Sequence, residues 1–173
     1  MLVLSKNAIA SELLSVPLHI PSISPKLKEK RACFVTLTIN GQLRGCIGHI
    51  LPIQELYKDI IENAKSAAYE DPRFPPVKKE ELDNLIIEIS ILTIPKPFPY
   101  QTIEELLSYL GKEKPGVILS KGLNRATFLP QVWDDLPDPR SFLSNLALKA
   151  GLSPDAWKHG VKVELYSVEK IQE

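Results

Sequence analysis

Residues 32–48 read ACFVTLTINGQLRGCIG, and this stretch decides the fold. Residues 32–40 alternate in polarity and are rich in β-branched side chains, which is typical of a strand. Asn40-Gly41 is a dipeptide that favours the tightest hairpin turn, and residues 42–47 supply a second strand. The stretch therefore predicts an antiparallel β-hairpin.

Helical and extended segments surround this hairpin. Apolar spacing predicts helices over 5–15, from Pro52 to Ala67 and over 77–84. Residues 85–93 are almost continuously apolar and predict a central strand. The remaining predicted elements are a helix over 102–111, strands over 116–119 and 126–129, a helix over 140–150, a helical turn over 153–158 and a strand over 161–168. This order predicts an α+β fold with a mostly antiparallel sheet packed against helices.

The domain organisation follows from length and from proline. The 173 residues fit a single domain, 1–173, and the chain has 15 prolines against 8 glycines, so its loops are stiff. Proline-containing connectors lie at both ends of the stretch 95–133. We expect a larger lobe and, over 95–133, a smaller one.

Composition excludes several classes of protein. The 21 basic and 21 acidic residues balance, which argues against a protein built to coat nucleic acid or an anionic membrane. Two cysteines make neither a disulfide framework nor a zinc site, and the three histidines lie far apart, so we predict no metal. No apolar stretch approaches the roughly 20 residues of a membrane helix, and no leader opens the chain. We expect a cytoplasmic protein with no membrane association.

The segment with the most candidate catalytic and binding residues is 43–49, LRGCIGH. Arg44 and Cys46 share one face of a strand, and a neighbouring guanidinium favours the nucleophilic thiolate. Gly45 and Gly48 allow a ligand or another backbone to approach closely. His49 is near enough in sequence to act as a base. These residues predict a catalytic thiol site with Arg44, Gly45 and Gly48 binding the ligand.

A structural interpretation of the same segment stays open. Cysteine is among the most buried residue types and usually packs as a small hydrophobe. The glycines then mark a β-bulge, and Arg44 pairs with a structural carboxylate. Cys33, in an apolar run, is expected in the core.

Four separated motifs resemble the AMMECR family: LRGCIG, EDPRFPP, LIIEISILT and ATFLPQVW, in this order over nearly the whole chain. The resemblance implies a two-lobed α+β protein with LRGCIG near the groove between the lobes, and a fold-level likeness to nucleotide- and nucleic-acid-binding modules. It also implies Memo-type and radical-SAM proteins as partners in a shared modification pathway. It names no substrate, reaction, cofactor or oligomeric state.

Three further residues are candidates. Arg73, held by proline-locked neighbours, is suited to bind an anion or carboxylate, or else pairs with Asp71. Glu88 is a carboxylate within an apolar strand, so it either faces solvent or needs a partner such as Arg44 or Arg73. Arg125 precedes ATFLP and either joins a basic ligand-binding groove or is a solvated charge at a turn.

Two functions remain open. In the first, the protein is an enzyme or an enzyme's partner, with Cys46 as nucleophile, Arg44 or Arg73 holding an anionic substrate, and His49 or Glu88 moving protons. In the second, it is a binding or adaptor module for an anionic or nucleotide-like ligand, nucleic acid or a partner protein, and Cys46 only packs.

Overall fold

The stretch 32–48 forms the predicted hairpin, with strands β1 (Cys33–Ile39) and β2 (Gln42–Gly48). Asn40 and Gly41 both adopt positive φ, 50° and 75°, the backbone that a two-residue turn requires and that asparagine and glycine accept most readily. The pairing shifts by one residue beyond Leu37, which leaves Arg44 without an opposite residue. Arg44 is thus the extra residue of a β-bulge.

The structure is a computed structural model that describes residues 1–172 and divides into two units. The first unit comprises Met1–Ile94 together with the residues from Glu169, and the second comprises Pro95–Val168. The second unit begins at the first proline of the stretch 95–133 and continues beyond residue 133.

The first unit is a four-stranded sheet covered by two helices. Its strand order is β2-β1-β3-β8, with β3 at Ile86–Leu92 and β8 at Val168–Gln172. Helices α1 (Leu2–Leu13) and α2 (Leu56–Tyr69) pack on one face of the sheet. The core side chains are apolar and alternate along the strands. They include Cys33, Val35, Leu37, Ile87, Ile89, Ile60, Ala64 and Ala67.

The second unit repeats this architecture with different elements. Its sheet has the order β4-β7-β5-β6. The elements are β4 (Lys96–Pro97), α3 (Ile103–Glu113), β5 (Gly116–Lys121), β6 (Asn124–Phe128), α4 (Val132–Asp135), α5 (Pro139–Lys149) and β7 (Lys162–Tyr166). Trp133 stacks on Phe142 at 3.7 Å between ring centroids in its core. Short 3₁₀ helices occupy Pro25–Lys28, Lys79–Asn84 and Ala156–Lys158.

The predicted α+β class with antiparallel pairing is confirmed, but several predicted element bounds are wrong. The helix predicted over 5–15 is Leu2–Leu13, and the helix predicted over 77–84 is the 3₁₀ helix Lys79–Asn84. Helix α2 begins at Leu56 rather than Pro52, and Ile53 remains 59% exposed. Helix α3 continues through Gly111 and ends where Lys114 turns left-handed (φ 47°), because Pro115 cannot extend it. The predicted strand 161–168 is β7 at Lys162–Tyr166, and a strand that was not predicted, β8 at Val168–Gln172, follows it in the other sheet.

Gly45 provides a test of how closely β2 lies against helix α2. A Cβ at Gly45 would overlap the main-chain oxygen of Ala67, which cannot move without shifting the helix. We expect Gly45→Ala to lower the free energy of unfolding by about 1–3 kcal/mol in chemical denaturation. Gly111→Ala is the control, because its Cβ meets only the Pro139 side chain and alanine favours a helix. Equal effects of the two substitutions would contradict this account.

Candidate functional site

The motif LRGCIG lies on β2, an outer strand of the first sheet. Cys46 stands opposite Thr36 of β1. Its amide N–H and carbonyl oxygen are bound by side chains of the loop that follows α2 instead of by a further strand. The free edge of the sheet is therefore completed at Cys46 by side-chain groups.

Asp71 and Arg73 make this attachment, and we call them the edge clamp. The Cys46 amide donates to Asp71 Oδ2 at 2.9 Å, and Arg73 Nη2 donates to the Cys46 carbonyl oxygen at 3.2 Å. Arg73 also binds Asp71 through two donors, Nε at 2.9 Å and Nη2 at 2.7 Å. This forked geometry is the strongest form of an arginine–carboxylate pair.

The two members of the clamp differ in exposure. The Asp71 side chain is 2% exposed, whereas the Arg73 side chain is 53% exposed. The Arg73 guanidinium holds the pKa of the Asp71 carboxyl well below its usual range. The pKa of Arg73 is raised mainly by its hydrogen bond to Asp71, and the Cys46 side chain is among the smaller causes. The thiol therefore lies in the field of a partly solvated guanidinium.

The Cys46 thiol belongs to a row of polar side chains on the sheet face opposite the two helices. Cys46 Sγ is 3.3 Å from Thr36 Oγ1, and Thr36 stands opposite Glu88 of β3. Lys170 of β8 forms an ion pair with Glu88 at 3.3 Å. We call Cys46, Thr36, Glu88 and Lys170 the polar row. Glu88 thus takes Lys170 as its partner, and neither of the arginines considered from the sequence.

Arg44 projects from the bulge and binds the 3₁₀ helix Lys79–Asn84. Its Nε and Nη2 donate to the Glu81 carboxylate at 2.7 and 3.0 Å, and its side chain is 13% exposed. This hydrogen bond with Arg44 is the main cause that lowers the pKa of Glu81. Arg44 Nη1 is buried without a hydrogen-bond partner. Two of the guanidinium nitrogens of Arg44 are therefore used within the fold.

The space beside the glycines of the motif is occupied by the protein's own atoms. A Cβ at Gly45 would overlap the Ala67 oxygen, and one at Gly48 would overlap the Phe34 ring and the Cys33 oxygen. These glycines thus allow helix α2 and strand β1 to pack closely against β2. Their predicted ligand contact stays a prediction.

His49 lies on the other face of the sheet from Cys46. Its Nδ1 is 2.7 Å from Asp59 Oδ1, and its side chain is 32% exposed while Asp59 is fully buried. Asp59 Oδ2 accepts from the Cys33 amide at 2.8 Å and from Asn63 at 3.0 Å. The structure therefore joins His49 to α2 and does not bring it to the thiol.

Asp59 and Asn63 were missed in the sequence reasoning, although a signal exists. Both lie on the apolar face of α2 among Leu56, Ile60 and Ala67. A carboxylate and an amide four residues apart on an apolar helical face predict a buried hydrogen-bond network. The same network surrounds Cys33, where burial raises the pKa of the thiol far above its usual range.

Arg125 lies on β6 in the second unit, where it donates to Glu164 of β7 at 2.8 Å. Within residues 1–172, no group of three or more histidine, cysteine, aspartate or glutamate side chains is arranged to hold a metal ion. None of the helices in that part of the chain is long and apolar enough to cross a membrane.

Each of the two units combines helices with an antiparallel sheet, so the protein belongs to the α+β class. Its candidate site is a thiol on an outer strand held by the edge clamp. A comparison with family models matches residues 2–171 to the AMMECR1 family. The chain belongs to the AMMECR1 family, as its motifs predict.

Relatives from archaea support this membership. A protein of Methanosarcina barkeri, Mbar_A1807, is 43% identical over 152 residues, which cover 87% of this chain and 75% of that protein. MJ0810 of Methanocaldococcus jannaschii is 38% identical over 177 residues, covering 98% and 86%. The crystal structure of an uncharacterised Pyrococcus horikoshii protein, PH0010, matches with a TM-score of 0.87 and 37% identity, over 99% of this chain and 88% of that one.

The edge clamp predicts a pH-dependent contribution to stability. Asp71→Asn is expected to lower the free energy of unfolding at pH 7 by about 2 kcal/mol, because charge-assisted hydrogen bonds to a buried carboxylate are lost. The folded-state pKa of Asp71 lies below the unfolded value of about 3.9, so this contribution is present above that pH. It is lost as the pH falls through the folded-state pKa.

Chemical denaturation at several pH values checks the direction of this pH dependence. The difference between wild type and Asp71→Asn should shrink below about pH 4. Asp83→Asn, which alters an exposed carboxylate of the same unit, should change the free energy of unfolding by less than about 0.5 kcal/mol. A wild-type advantage over Asp71→Asn that stays constant through this pH range would contradict the role given to the clamp.

Proposed function

We propose that the protein is an enzyme, or the partner of an enzyme, in a modification pathway, and that Cys46 supplies its reactive thiol. One observation carries this proposal. The clamp binds the main chain of Cys46 on both sides of its Cα, while its Sγ stays half-buried on the sheet face in the field of Arg73. A thiol held rigidly beside a cation has the setting of a nucleophile.

Arg73 is proposed as the group that binds the anionic part of the substrate. Nε and Nη2 are used by Asp71 and by the Cys46 carbonyl oxygen, and more than half of the side chain faces solvent. The buried Asp71 fixes the guanidinium plane, so an anion is met by a preorganised donor. Arg44 is less suited to this task because Glu81 already binds it through two nitrogens.

Glu88 is proposed as the proton acceptor. Of the two candidates from the sequence, Glu88 shares the polar row with Cys46, whereas His49 bonds to Asp59 on the other face. When the sulfur adds to a carbonyl carbon, an S–C bond forms, the C=O π electrons move onto the carbonyl oxygen, and the thiol proton goes to the Glu88 carboxylate on the same sheet face. Lys170 holds that carboxylate in place through an ion pair at 3.3 Å.

The compartment and partners follow from the same proposal. Both cysteines are free, which fits a reducing cytoplasm. The family resemblance supports Memo-type and radical-SAM proteins as the partners that supply or use the modified group.

Alkylation by iodoacetamide across a pH series, read by mass spectrometry, tests the thiol. Cys46 should react faster than a free model thiol at the same pH, whereas Cys33, with no exposed surface, serves as the unreactive internal comparison. Reaction no faster than that of the model thiol would remove the basis of the enzymatic proposal.

Arg73→Gln should slow Cys46 alkylation at neutral pH, because it removes the cation that lies near the attacking sulfur. Lys26→Gln removes an exposed cation of the same unit and should leave the rate unchanged. Equal rates for wild type and Arg73→Gln would show that the guanidinium does not activate the thiol.

A second candidate function is non-catalytic binding of an anionic or nucleotide-like ligand, nucleic acid or a partner protein. The half-exposed Arg73 guanidinium, fixed by the buried Asp71, favours it, because such a donor can bind an anion whether or not Cys46 reacts. In this case Cys46→Ser leaves phosphate-induced NMR shifts of the motif amides unchanged and Arg73→Ala abolishes them. Loss of these shifts in Cys46→Ser alone would exclude this second function.

A further inference from the structure

The second unit contains a groove of about 950 Å³ that is built from residues between Pro97 and Glu164. Its volume lies at the upper end of the range found for small-molecule sites. The groove lies wholly within one unit, and its lining shares no residue with the Cys46 site. Its chemistry divides into a basic part and an aromatic part.

The basic part begins with a row of three side chains across adjacent strands. Lys162 of β7 stands opposite Ser120 of β5, and Ser120 stands opposite Arg125 of β6. Strands lie about 4.8 Å apart, so the two long basic side chains start about 10 Å from each other with a small hydroxyl between them. This spacing leaves room for an anion that accepts from the hydroxyl and from both cations.

The charge balance of the groove favours an anion with more than one negative charge. Its lining includes the cations Arg125, Lys158 and Lys162, and the single carboxylate Glu164. Glu164 holds Arg125 at 2.8 Å and thereby fixes the guanidinium in the row. Two positive charges remain uncompensated among the lining side chains.

The aromatic part is formed by Phe98 and Tyr100, which follow strand β4. Their rings are nearly parallel, with 6.4 Å between centroids and 26° between planes. Phe98 also packs against Tyr109 at 4.5 Å, which anchors this wall to α3. Partial burial raises the pKa of Tyr100, so its phenol stays neutral at physiological pH. The wall therefore presents flat apolar surface to a ring.

We infer that this groove binds an aromatic phosphate monoester, with the phosphate on the Lys162–Ser120–Arg125 row and the ring against Phe98 and Tyr100. A phosphate monoester carries close to two negative charges at pH 7, which matches the uncompensated charge of the lining. Inorganic phosphate satisfies only the basic part, and phenol satisfies only the aromatic part. The two parts together select a ligand that joins both.

Titration of the full-length chain with phenyl phosphate, followed by ¹H–¹⁵N NMR, tests this inference. Shifts are expected at the amides of Ser120 and Lys162, with affinity at least about tenfold higher than for inorganic phosphate, because ring burial adds to the charged contacts. Equal affinities for phenyl phosphate, inorganic phosphate and phenol, or shifts confined to other amides, would overturn it.

Variants separate the two parts. Lys162→Glu should weaken phenyl phosphate at least about tenfold, and Lys112→Glu, which reverses a charge that is 83% exposed in the same unit, should not. Tyr100→Ala should weaken phenyl phosphate and leave inorganic phosphate unchanged. Because Lys162 is exposed, its variant is expected to keep the wild-type NMR fingerprint. Unaltered affinity in Lys162→Glu would overturn the inference.

The affinity for AMP shows whether the bound phosphate monoester is a nucleotide or a simple aryl phosphate. Tighter binding of AMP than of phenyl phosphate at the same amides assigns the groove to nucleotides, and weaker binding assigns it to simple aryl phosphates. Cys46→Ser should not change either affinity, so failure here is distinguishable from failure of the thiol proposal.

Discussion

The hydrogen bonds of Asp71 and Arg73 to the main chain of Cys46 are the constraint on which the first unit's candidate site depends. An outer strand presents unpaired N–H and C=O groups, and these need partners when they are shielded from water. Here one carboxylate and one guanidinium take the place of a neighbouring strand. Because Asp71 directly follows α2, the clamp also joins the end of that helix to the sheet.

This attachment explains why the motif combines glycines with long polar side chains. Gly45 lets β2 lie against the Ala67 carbonyl of α2, and the bulge at Arg44 turns a guanidinium towards Glu81. The strand is thus fixed from the helix, from the 3₁₀ helix Lys79–Asn84 and from the edge clamp. A thiol at the centre of three such attachments has little freedom, and this rigidity is what a nucleophile or a ligand-binding main chain requires.

The two faces of the first sheet divide its polar groups into separate networks. On the helix face, the Asp59 carboxylate forms hydrogen bonds with His49, Asn63 and the Cys33 amide in a buried network. On the opposite face, the polar row runs from Cys46 to Lys170. Successive residues of a strand face opposite ways, and His49, which directly follows β2, bonds to Asp59 on the helix face while Cys46 lies on the other face. Sequence proximity alone therefore misjudges which groups can exchange a proton.

The sequence by itself determined the hairpin, its Asn-Gly turn, the α+β class and the family, because these depend on local backbone preferences, on alternation and on contiguous motifs. It also identified the segment that carries Cys46, and it named Asp71 as one of the partners of Arg73. The tertiary structure alone decided that Glu88 pairs with Lys170, which is 82 residues distant. It alone showed that Asp71 completes the strand edge and that Asp59 orients His49. Side-chain partners far apart in sequence are set by which strands become neighbours in the sheet, and no local pattern encodes that choice.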